Sequence, residues 1–198
     1  KKKKKEKKNP PLLFNLAEIQ NECSKRFKIS PDETLQVAQD LYEKKLTTYP
    51  RTDARVLSTA VAKEISKNLN RLKSYEPTAA YVEHILKEGS YRMIAKTQYT
   101  DDSKVTDHYA IIPTGQITEL KSLNDLQRKI YDLIVRRFLS IFYPAAVYRT
   151  VKLTVQMDKE RFFASAKALK EPGYLEIAGK EREEDKEKEE QESTGLLG

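Results

Sequence analysis

Tyr49 and Arg51 are the residues of this chain whose types and spacing most clearly suggest chemistry. They flank Pro50 in the stretch LTTYPRTDAR, residues 46–55. A proline restricts its predecessor to an extended conformation, which can present a phenol on a ridge. A phenol is a weak nucleophile at neutral pH, and a neighbouring guanidinium stabilises charge that develops on a phosphoryl group. The pattern is compatible with attack of a tyrosine on a phosphodiester and, more simply, with an ordinary turn, since the chain has 11 tyrosines.

A second stretch, KVTDHYAIIPTG at residues 104–115, places His108 directly before an apolar run that ends in Pro-Thr-Gly. Considered alone, His108 is better explained as a hydrogen-bonded structural histidine than as a catalyst. Just upstream, Asp101 and Asp102 are adjacent carboxylates that point in different directions, so they indicate a turn and not a metal site. No Asp-x-Asp pair occurs anywhere in the sequence.

Composition restricts the class of protein. The 198 residues suffice for one large or two small domains, with 38% hydrophobic and 34% charged residues. No apolar run approaches the roughly 20 residues of a membrane span. The lone Cys23 excludes an internal disulfide and is typical of a reducing compartment. The chain lacks an initiator Met and a signal peptide and ends in GLLG, so we expect a piece of a longer cytoplasmic protein.

The net charge of +7 is unevenly distributed. The chain opens with KKKKKEKK, and its last twenty residues are strongly acidic, while residues 9–178 hold a modest basic excess. A basic body is typical of proteins with a polyanionic partner, although an ordinary solvated surface with two mobile ends explains it as well.

Helical periodicity and capping residues predict a helical body over about residues 15–144. Asn15 and Ser30 are expected N-caps, and Pro31 fits the first position of the second helix. Further helices are expected over residues 58–72, within EPTAAYVEHILKEG, and within SLNDLQRKIYDLIVRRFLSIFYP. The expected buried face of the second helix consists of Leu35, Ala38, Leu41 and Tyr42.

From Val147 onward, apolar residues recur at about every second position instead of at helical spacing. The stretch from Val147 to Ile177 alternates and is rich in β-branched and aromatic residues, which predicts antiparallel strands with a turn near Asp158. The sequence therefore predicts an α+β fold, in which a mainly helical body is joined to β structure at residues 1–14 and 145–198. The acidic tail is expected to be a solvated loop.

Four segments, in order, resemble the type IA DNA topoisomerases, most closely the bacterial topoisomerase III branch. LYEKKLTTYPRTDARVL is similar to the active-site signature of that family, and DHYAIIPTG is similar to its second signature. PPLLFNLAEIQNE resembles the segment before the catalytic region, and IYDLIVRRFLSIFYP resembles the helix that follows it. The resemblance covers roughly residues 9–177.

The resemblance implies roles for the residues of the first signature. Tyr49 corresponds to the nucleophile that attacks one DNA strand and becomes linked to its 5′-phosphate. Arg51 corresponds to the arginine that assists at the scissile phosphate. Thr52 and Asp53 are expected to support the geometry of that loop.

Three further residues receive roles from the resemblance. His108 corresponds to a histidine that contacts DNA beside the active site, and Thr114 closes the second signature. Arg136 is a candidate for a DNA or gate contact, with a plain helix-surface arginine as the competing interpretation.

The resemblance also implies parts that this sequence lacks. In the family, an acidic domain called Toprim supplies a Glu and an Asp-x-Asp cluster that hold Mg²⁺ beside the tyrosine. We therefore expect the parent to be a DNA-cleaving and religating isomerase of the bacterial nucleoid, acting on single-stranded DNA. The present chain contains no metal ligands of that kind, so we expect it to be inactive without the Toprim domain.

The family fold adds detail to the expected architecture. Residues 15–144 would be the helical catalytic-tyrosine domain, called domain III, with a winged-helix-like part. Residues 1–14 and 145–198 would be the lysine-rich opening segment and the later strands of domain II, a β-rich arch.

Three other interpretations compete with this one. The first is a non-catalytic module that binds single-stranded DNA, in which Tyr49 stacks on a base or packs in the core. The second is a tyrosine recombinase, which is disfavoured because neither His84 nor His108 is followed by arginine three residues later and the best tyrosine comes early. The third is a structural or protein-interaction domain.

Overall fold

The structure, a computed structural model, describes residues 2–179. The predicted acidic loop of the tail and the GLLG end lie outside these residues. The α-helices are α1 Leu16–Phe27, α2 Pro31–Glu43, α3 Thr59–Lys63, α4 Ile65–Leu72, α5 Ala79–Glu88, α6 Asp125–Ser140 and α7 Leu175–Ala178. Short 3₁₀ helices cover Glu76–Thr78, Ser90–Lys96, Asp102–Lys104 and Leu120–Ser122. Within residues 2–179, the helices are too short or too polar to cross a membrane.

The first two helices begin at the predicted capping residues. The Asn15 side chain accepts a hydrogen bond from the Glu18 amide at 2.8 Å, and the Ser30 hydroxyl accepts one from the Glu33 amide at 3.1 Å. On α2, Ala38 and Leu41 are buried as predicted. The prediction for Tyr42 was wrong: its side chain is 39% exposed because it lies at the end of α2, beyond the layer of α1 and α6 that covers the helix.

The helix predicted over residues 58–72 is interrupted at Glu64, where α3 ends and α4 begins. Glu64 has φ −105° and ψ 9°, and its amide donates to the Val61 carbonyl three residues back. Ala62 before this tighter turn and Ile65 after it are both buried, so the two helices pack on the same core.

Helix α6 runs through the centre of the hydrophobic core. Asn124 and Gln127 form a capping box at its start, in which each side chain accepts a hydrogen bond from the other residue's amide. Ile130, Ile134 and Phe138 recur along one face of the helix and are fully buried. The helix ends before Pro144, as the sequence predicts, because proline cannot continue a helix.

A three-stranded antiparallel sheet stands beside the helical body, in the order β1 (Lys2–Lys8), β2 (Ala146–Met157), β3 (Glu160–Glu171). The hairpin between β2 and β3 turns at Asp158, whose φ of 57° suits a tight turn, as predicted. The opening lysine run is therefore strand and not a mobile end over Lys2–Lys8. Beyond the body the hairpin is solvent-exposed, including Phe163 at 68%.

The strand pattern predicted through Ile177 was wrong in its last part, where the chain forms α7. Pro172 and Gly173 end β3, and Gly173 has φ 53°, which an L-residue adopts with strain. The Tyr174 amide donates to the Pro144 carbonyl at 3.0 Å. Ile177 is then buried in the core of the helical body, and Leu175 is buried in a smaller cluster with Ala146 and Tyr174, so packing outweighs the alternating pattern. The result is a mixed fold of helices and a three-stranded antiparallel sheet.

Candidate active site

The loop that carries Tyr49 is paired along its length with the second sequence stretch. Thr47 and Pro113 form an antiparallel bridge. The Thr48 amide donates to the Ile112 carbonyl at 3.0 Å, and the Thr114 amide donates to the Leu46 carbonyl at 3.0 Å. The two stretches that the sequence singles out are thus joined as neighbouring backbone segments.

Threonine side chains add a second set of bonds between the same segments. The Thr48 hydroxyl donates to the Ala110 carbonyl at 3.0 Å and accepts from the Ile112 amide at 2.9 Å. The Thr52 hydroxyl donates to the His108 carbonyl at 3.1 Å and accepts from the Ala54 amide at 3.1 Å. These bonds fix the backbone on both sides of Tyr49 relative to His108.

The start of α1 holds the other side of the loop. The Asn15 side-chain amide donates to the Asp53 carbonyl at 3.0 Å, and the Leu16 amide donates to the Thr52 carbonyl at 3.1 Å. The Asp53 side chain itself is exposed. Asn15 caps the helix and anchors the loop at the same time.

Two arginines secure the segment that precedes α1. The Arg55 guanidinium donates to the Leu13 carbonyl at 3.1 Å. Arg137 of α6 donates to the Leu12 carbonyl at 3.1 Å, and its guanidinium lies 4.0 Å from the centre of the Phe14 ring. Burial lowers the pKa of Arg137 from its usual range. The loop that carries Tyr49 is therefore connected to α6 through the segment that precedes α1.

The Tyr49 ring lies between two aromatic side chains. Its centroid is 4.5 Å from that of His108, with the planes inclined at 40°, and 5.2 Å from that of Tyr42 in an edge-on arrangement. Sequence analysis missed this role of Tyr42, because the helical periodicity assigned it to the core. Its position in the last turn of α2, as the second residue of the first signature, was the available signal.

Tyr49 and His108 line an open cavity of about 330 Å³, here called the Tyr49 cavity. Tyr42, Lys45 and Thr114 also line it. Lys45 has a left-handed φ of 61°, and its carbonyl accepts a 2.6 Å hydrogen bond from the Thr114 hydroxyl. Lys45 is exposed, and the sequence alone did not indicate that it lines the cavity.

Arg51 lies on the exposed side of the same loop. Its side chain makes no hydrogen bond or ion pair within residues 2–179, so the guanidinium is available to an external anion. The loop thus carries Arg51 two residues after Tyr49, and Lys45 lines the cavity of that tyrosine; both residue types bind phosphodiesters.

The described residues do not fit a magnesium site. Between Lys2 and Gly179, no three His, Cys, Asp or Glu side chains are grouped closely enough to hold a metal ion. Asp53 and Asp107, the carboxylates of the two signatures, are both exposed. The chemistry that this chain itself provides is a nucleophile, an aromatic surface and cations.

Arg136 is not brought to the Tyr49 cavity. Its guanidinium forms a 2.7 Å ion pair with Asp132 and donates to the Ile177 carbonyl at 2.8 Å, so it joins α6 to α7. It lines a second cavity, together with Tyr75 and Tyr131.

Comparison with known proteins places these features in a family. A sequence model described as DNA topoisomerase matches residues 1–195. DNA topoisomerase 3 of Bacillus subtilis (strain 168) is 39% identical over 185 residues, which are 93% of this chain and 25% of that protein. DNA topoisomerase 3 of Bacillus licheniformis is 39% identical over 180 residues, which are 90% of this chain and 24% of that protein.

A solved structure gives the same result for the fold. Full-length topoisomerase I from Thermotoga maritima matches with a TM-score of 0.61 and 25% identity, over 91% of this chain and 29% of that one. The chain spans about a quarter of the length of the curated relatives that it matches. The chain belongs to the DNA topoisomerase family, in the type IA branch that its two signatures predicted.

Proposed function

We propose that Tyr49 is the nucleophile of a type IA topoisomerase. The phenol oxygen attacks a phosphorus of one DNA strand and forms a phosphotyrosyl bond to the 5′-phosphate. The bond from phosphorus to the 3′ oxygen breaks, and that oxygen leaves as a 3′-hydroxyl after taking up a proton, while the phenol proton is lost. Attack by the 3′-hydroxyl on the phosphotyrosine reverses these steps and religates the strand.

The placement of Tyr49 carries this proposal. Tyr49 lines an open cavity beside His108, and Lys45 lines the same cavity. A nucleophile in the interior of the core would not be reachable by a strand, whereas this one is partly exposed.

The other signature residues are given supporting roles. Arg51 stabilises the charge on the phosphoryl group that is attacked. His108 contacts the DNA beside Tyr49, while Thr52, Asp53 and Thr114 hold the loops through the hydrogen bonds described above.

Arg136 is proposed as a gate contact and not as a partner of Tyr49, because it bridges α6 and α7 next to the point where the chain leaves the sheet. Movement of the sheet relative to the helical body would strain the hydrogen bond between Arg136 and the Ile177 carbonyl.

The remaining parts of the reaction belong to the longer parent. The described residues hold no magnesium ligands, so Mg²⁺ would be bound by a Toprim domain of the parent chain. The helices of residues 15–144, with a winged-helix-like part, would form the tyrosine domain. Residues 1–14 and 145–198 would belong to the arch of domain II, whose opening lets a second strand pass. The parent would act on single-stranded regions of the bacterial chromosome in the cytoplasm.

The test is capture of the covalent complex. The full-length parent is mixed with a 5′-labelled and a 3′-labelled strand in the presence of Mg²⁺, and denaturing gels show whether protein is attached to a 5′-phosphate. Tyr49→Phe should abolish the adduct, because it removes the attacking oxygen. Tyr42→Phe is the matched control, since Tyr42 contacts the same ring and should leave the adduct intact.

An adduct formed by Tyr49→Phe would show that another residue is the nucleophile. If the unaltered parent binds single strands but never forms the adduct, the chain belongs to a non-catalytic DNA-binding module instead.

A further inference from the structure

The second cavity lies on the side of α6 and has about 540 Å³, within the range of small-ligand sites. It is here called the α6 cavity. Its walls come from the first half of α6, the 3₁₀ helix Leu120–Ser122 and the stretch from Tyr75 to Pro77. None of the residues assigned to DNA cleavage by sequence, except Arg136, contributes to it.

The charge that lines the α6 cavity is mainly positive. Asp132 is the acidic residue of the lining, and its carboxylate is already engaged by Arg136 at 2.7 Å and by the Tyr75 hydroxyl at 2.7 Å. Lys121 and Lys129 are exposed and form no ion pair with any residue between Lys2 and Gly179. The lining therefore presents ammonium groups whose charge is not balanced by neighbouring carboxylates.

Arg128 adds a donor group that points to the same ligand chemistry. Its Nε donates to the Leu123 carbonyl at 3.1 Å, which anchors the side chain. The terminal nitrogens have no partner within the described part of the chain. A guanidinium held at one nitrogen and open at the others is suited to a phosphate oxygen.

The buried hydroxyl of Tyr131 is the most unusual feature of the lining. Tyr131 is only 1% exposed, and its hydroxyl has no hydrogen-bond partner among residues 2–179. Burial, with a smaller contribution from Asp132, raises the pKa of this phenol, so it stays protonated and acts as a donor. Buried polar groups without a partner are rare in folded proteins. The hydroxyl also has almost no accessible surface, so it lies behind the wall of the cavity, and the basic side chains of the lining are the groups that a ligand would meet.

The linings of the two cavities are connected by a contact between the end of α2 and the 3₁₀ helix Leu120–Ser122. Lys45 lines the Tyr49 cavity and Lys121 lines the α6 cavity. Between them, the Lys44 ammonium group donates to the Ser122 hydroxyl at 3.1 Å, which joins the end of α2 to the wall of the α6 cavity. A chain of phosphates could follow these lysines from one cavity to the other.

We propose that the α6 cavity is a second subsite for the nucleic acid strand, which binds a phosphate on Lys121, Arg128 and Lys129. Pro77 and Tyr75 offer an apolar surface to the attached nucleoside. The inference rests on the proposed function, because the same strand would reach Tyr49. The subsite holds the strand in register while the bond at Tyr49 is broken and remade.

The test measures binding of short oligothymidylate to this chain by fluorescence anisotropy at low and at physiological salt. The double variant Lys121→Gln with Lys129→Gln removes two cations that have no structural partner, so folding should be unchanged. Affinity should fall at least about fivefold, and the slope of log K against log salt should decrease by up to about 0.7, since the variant weakens the contact to one phosphate and each phosphate contact on a single strand contributes about 0.7. Tyr131→Phe should leave binding nearly unchanged, because the hydroxyl that it removes is not accessible from the cavity.

The matched control is Lys87→Gln with Lys96→Gln, which removes the same charge from exposed positions that line neither cavity. A control that weakens binding as much as the double variant would show diffuse attraction and overturn the subsite. The subsite is also overturned if excess inorganic phosphate displaces the strand fully and itself binds in a Lys121- and Lys129-dependent way, because the cavity would then hold a free anion.

The parent enzyme separates this inference from the proposed function. The parent that carries Lys121→Gln and Lys129→Gln should form less of the Tyr49 adduct at low strand concentration, and should need a higher strand concentration than the unaltered parent to reach half of its maximal adduct level. If the double variant binds the strand as tightly as the unaltered protein while the unaltered parent forms the adduct, only the subsite is overturned. Absence of the adduct in the unaltered parent overturns only the role of Tyr49.

Discussion

Tyr49 and His108 face one another across the two signature loops, with ring centroids 4.5 Å apart and planes inclined at 40°. The contact depends on the backbone, because the Thr52 hydroxyl holds the His108 carbonyl. An imidazole in this position restricts the phenol from one side, while Tyr42 restricts it from another. The phenol is therefore positioned before any strand arrives, which reduces the ordering needed for attack.

Arg51 should contribute to the rate of cleavage and not to folding. Its side chain is exposed and has no partner within residues 2–179. In the full-length parent, Arg51→Ala should slow adduct formation about a hundred- to a thousandfold, as loss of one charge-stabilising donor typically does. Arg51→Lys should restore part of the rate, because it keeps the charge but loses the planar fork. An unchanged single-turnover rate in Arg51→Ala would remove Arg51 from the mechanism.

Adjacent threonines should differ sharply in their effect on stability. The Thr48 hydroxyl bonds Ala110 and Ile112, whereas the buried Thr47 hydroxyl has no partner in the described part of the chain. Thr48→Val should lower the free energy of unfolding by about 1–3 kcal/mol, because it leaves backbone groups unsatisfied. Thr47→Val should be neutral or stabilising. Urea unfolding measures both, and equal losses would contradict the bonding described here.

Gly173 should tolerate alanine far less well than Gly89. Both have positive φ, 53° and 74°, so the backbone strain of an added Cβ is similar. At Gly89 the nearest atom to a Cβ is a flexible Arg92 nitrogen at 3.6 Å, whereas at Gly173 the Cβ would overlap the carbonyl oxygens of Pro144 and Ala145. Gly89→Ala should cost about 1 kcal/mol, and Gly173→Ala several times more. Comparable thermal midpoints for the two variants would refute the close approach.

The thiol of Cys23 should report on opening of the core. Cys23 is fully buried, and burial raises its pKa to about 11. The thiol of the unfolded chain ionises at lower pH than the buried thiol. The stability that the buried, protonated thiol contributes is therefore complete below about pH 9 and is lost as pH rises toward 11. In native protein a disulfide reagent should react slowly at pH 8, and Cys23→Ala should flatten the alkaline loss of stability. Rapid reaction without denaturant would contradict a closed core.

Local chemistry predicted much of the fold. The caps at Asn15 and Ser30 and the turn at Asp158 depend on the residue and its immediate neighbours, and each was confirmed. The break at Glu64 and helix α7 depend on what the segment packs against, which a single sequence does not display. Periodicity assigned the exposed Tyr42 to the core for the same reason.

The residues of the candidate site were also predicted only in part. Tyr49, Arg51 and His108 were predicted through motif resemblance, and the structure brings Tyr49 and His108 together. Lys45 was missed because its membership of the cavity results from a left-handed backbone angle and a bond from Thr114. The contact between Lys44 and Ser122 that connects the linings of the two cavities joins distant parts of the chain and has no signature in the sequence.

Strand β1 has a consequence for how copies of this chain behave in solution. It is an edge of the sheet within residues 2–179, and it carries lysine at every position except Glu6. An exposed edge offers unpaired amides and carbonyls on which another strand can grow, and lysines along the edge oppose this by charge repulsion. The repulsion is screened as ionic strength rises. The lysine run should therefore keep the protein monomeric at low salt, and self-association through β1 should increase with added salt.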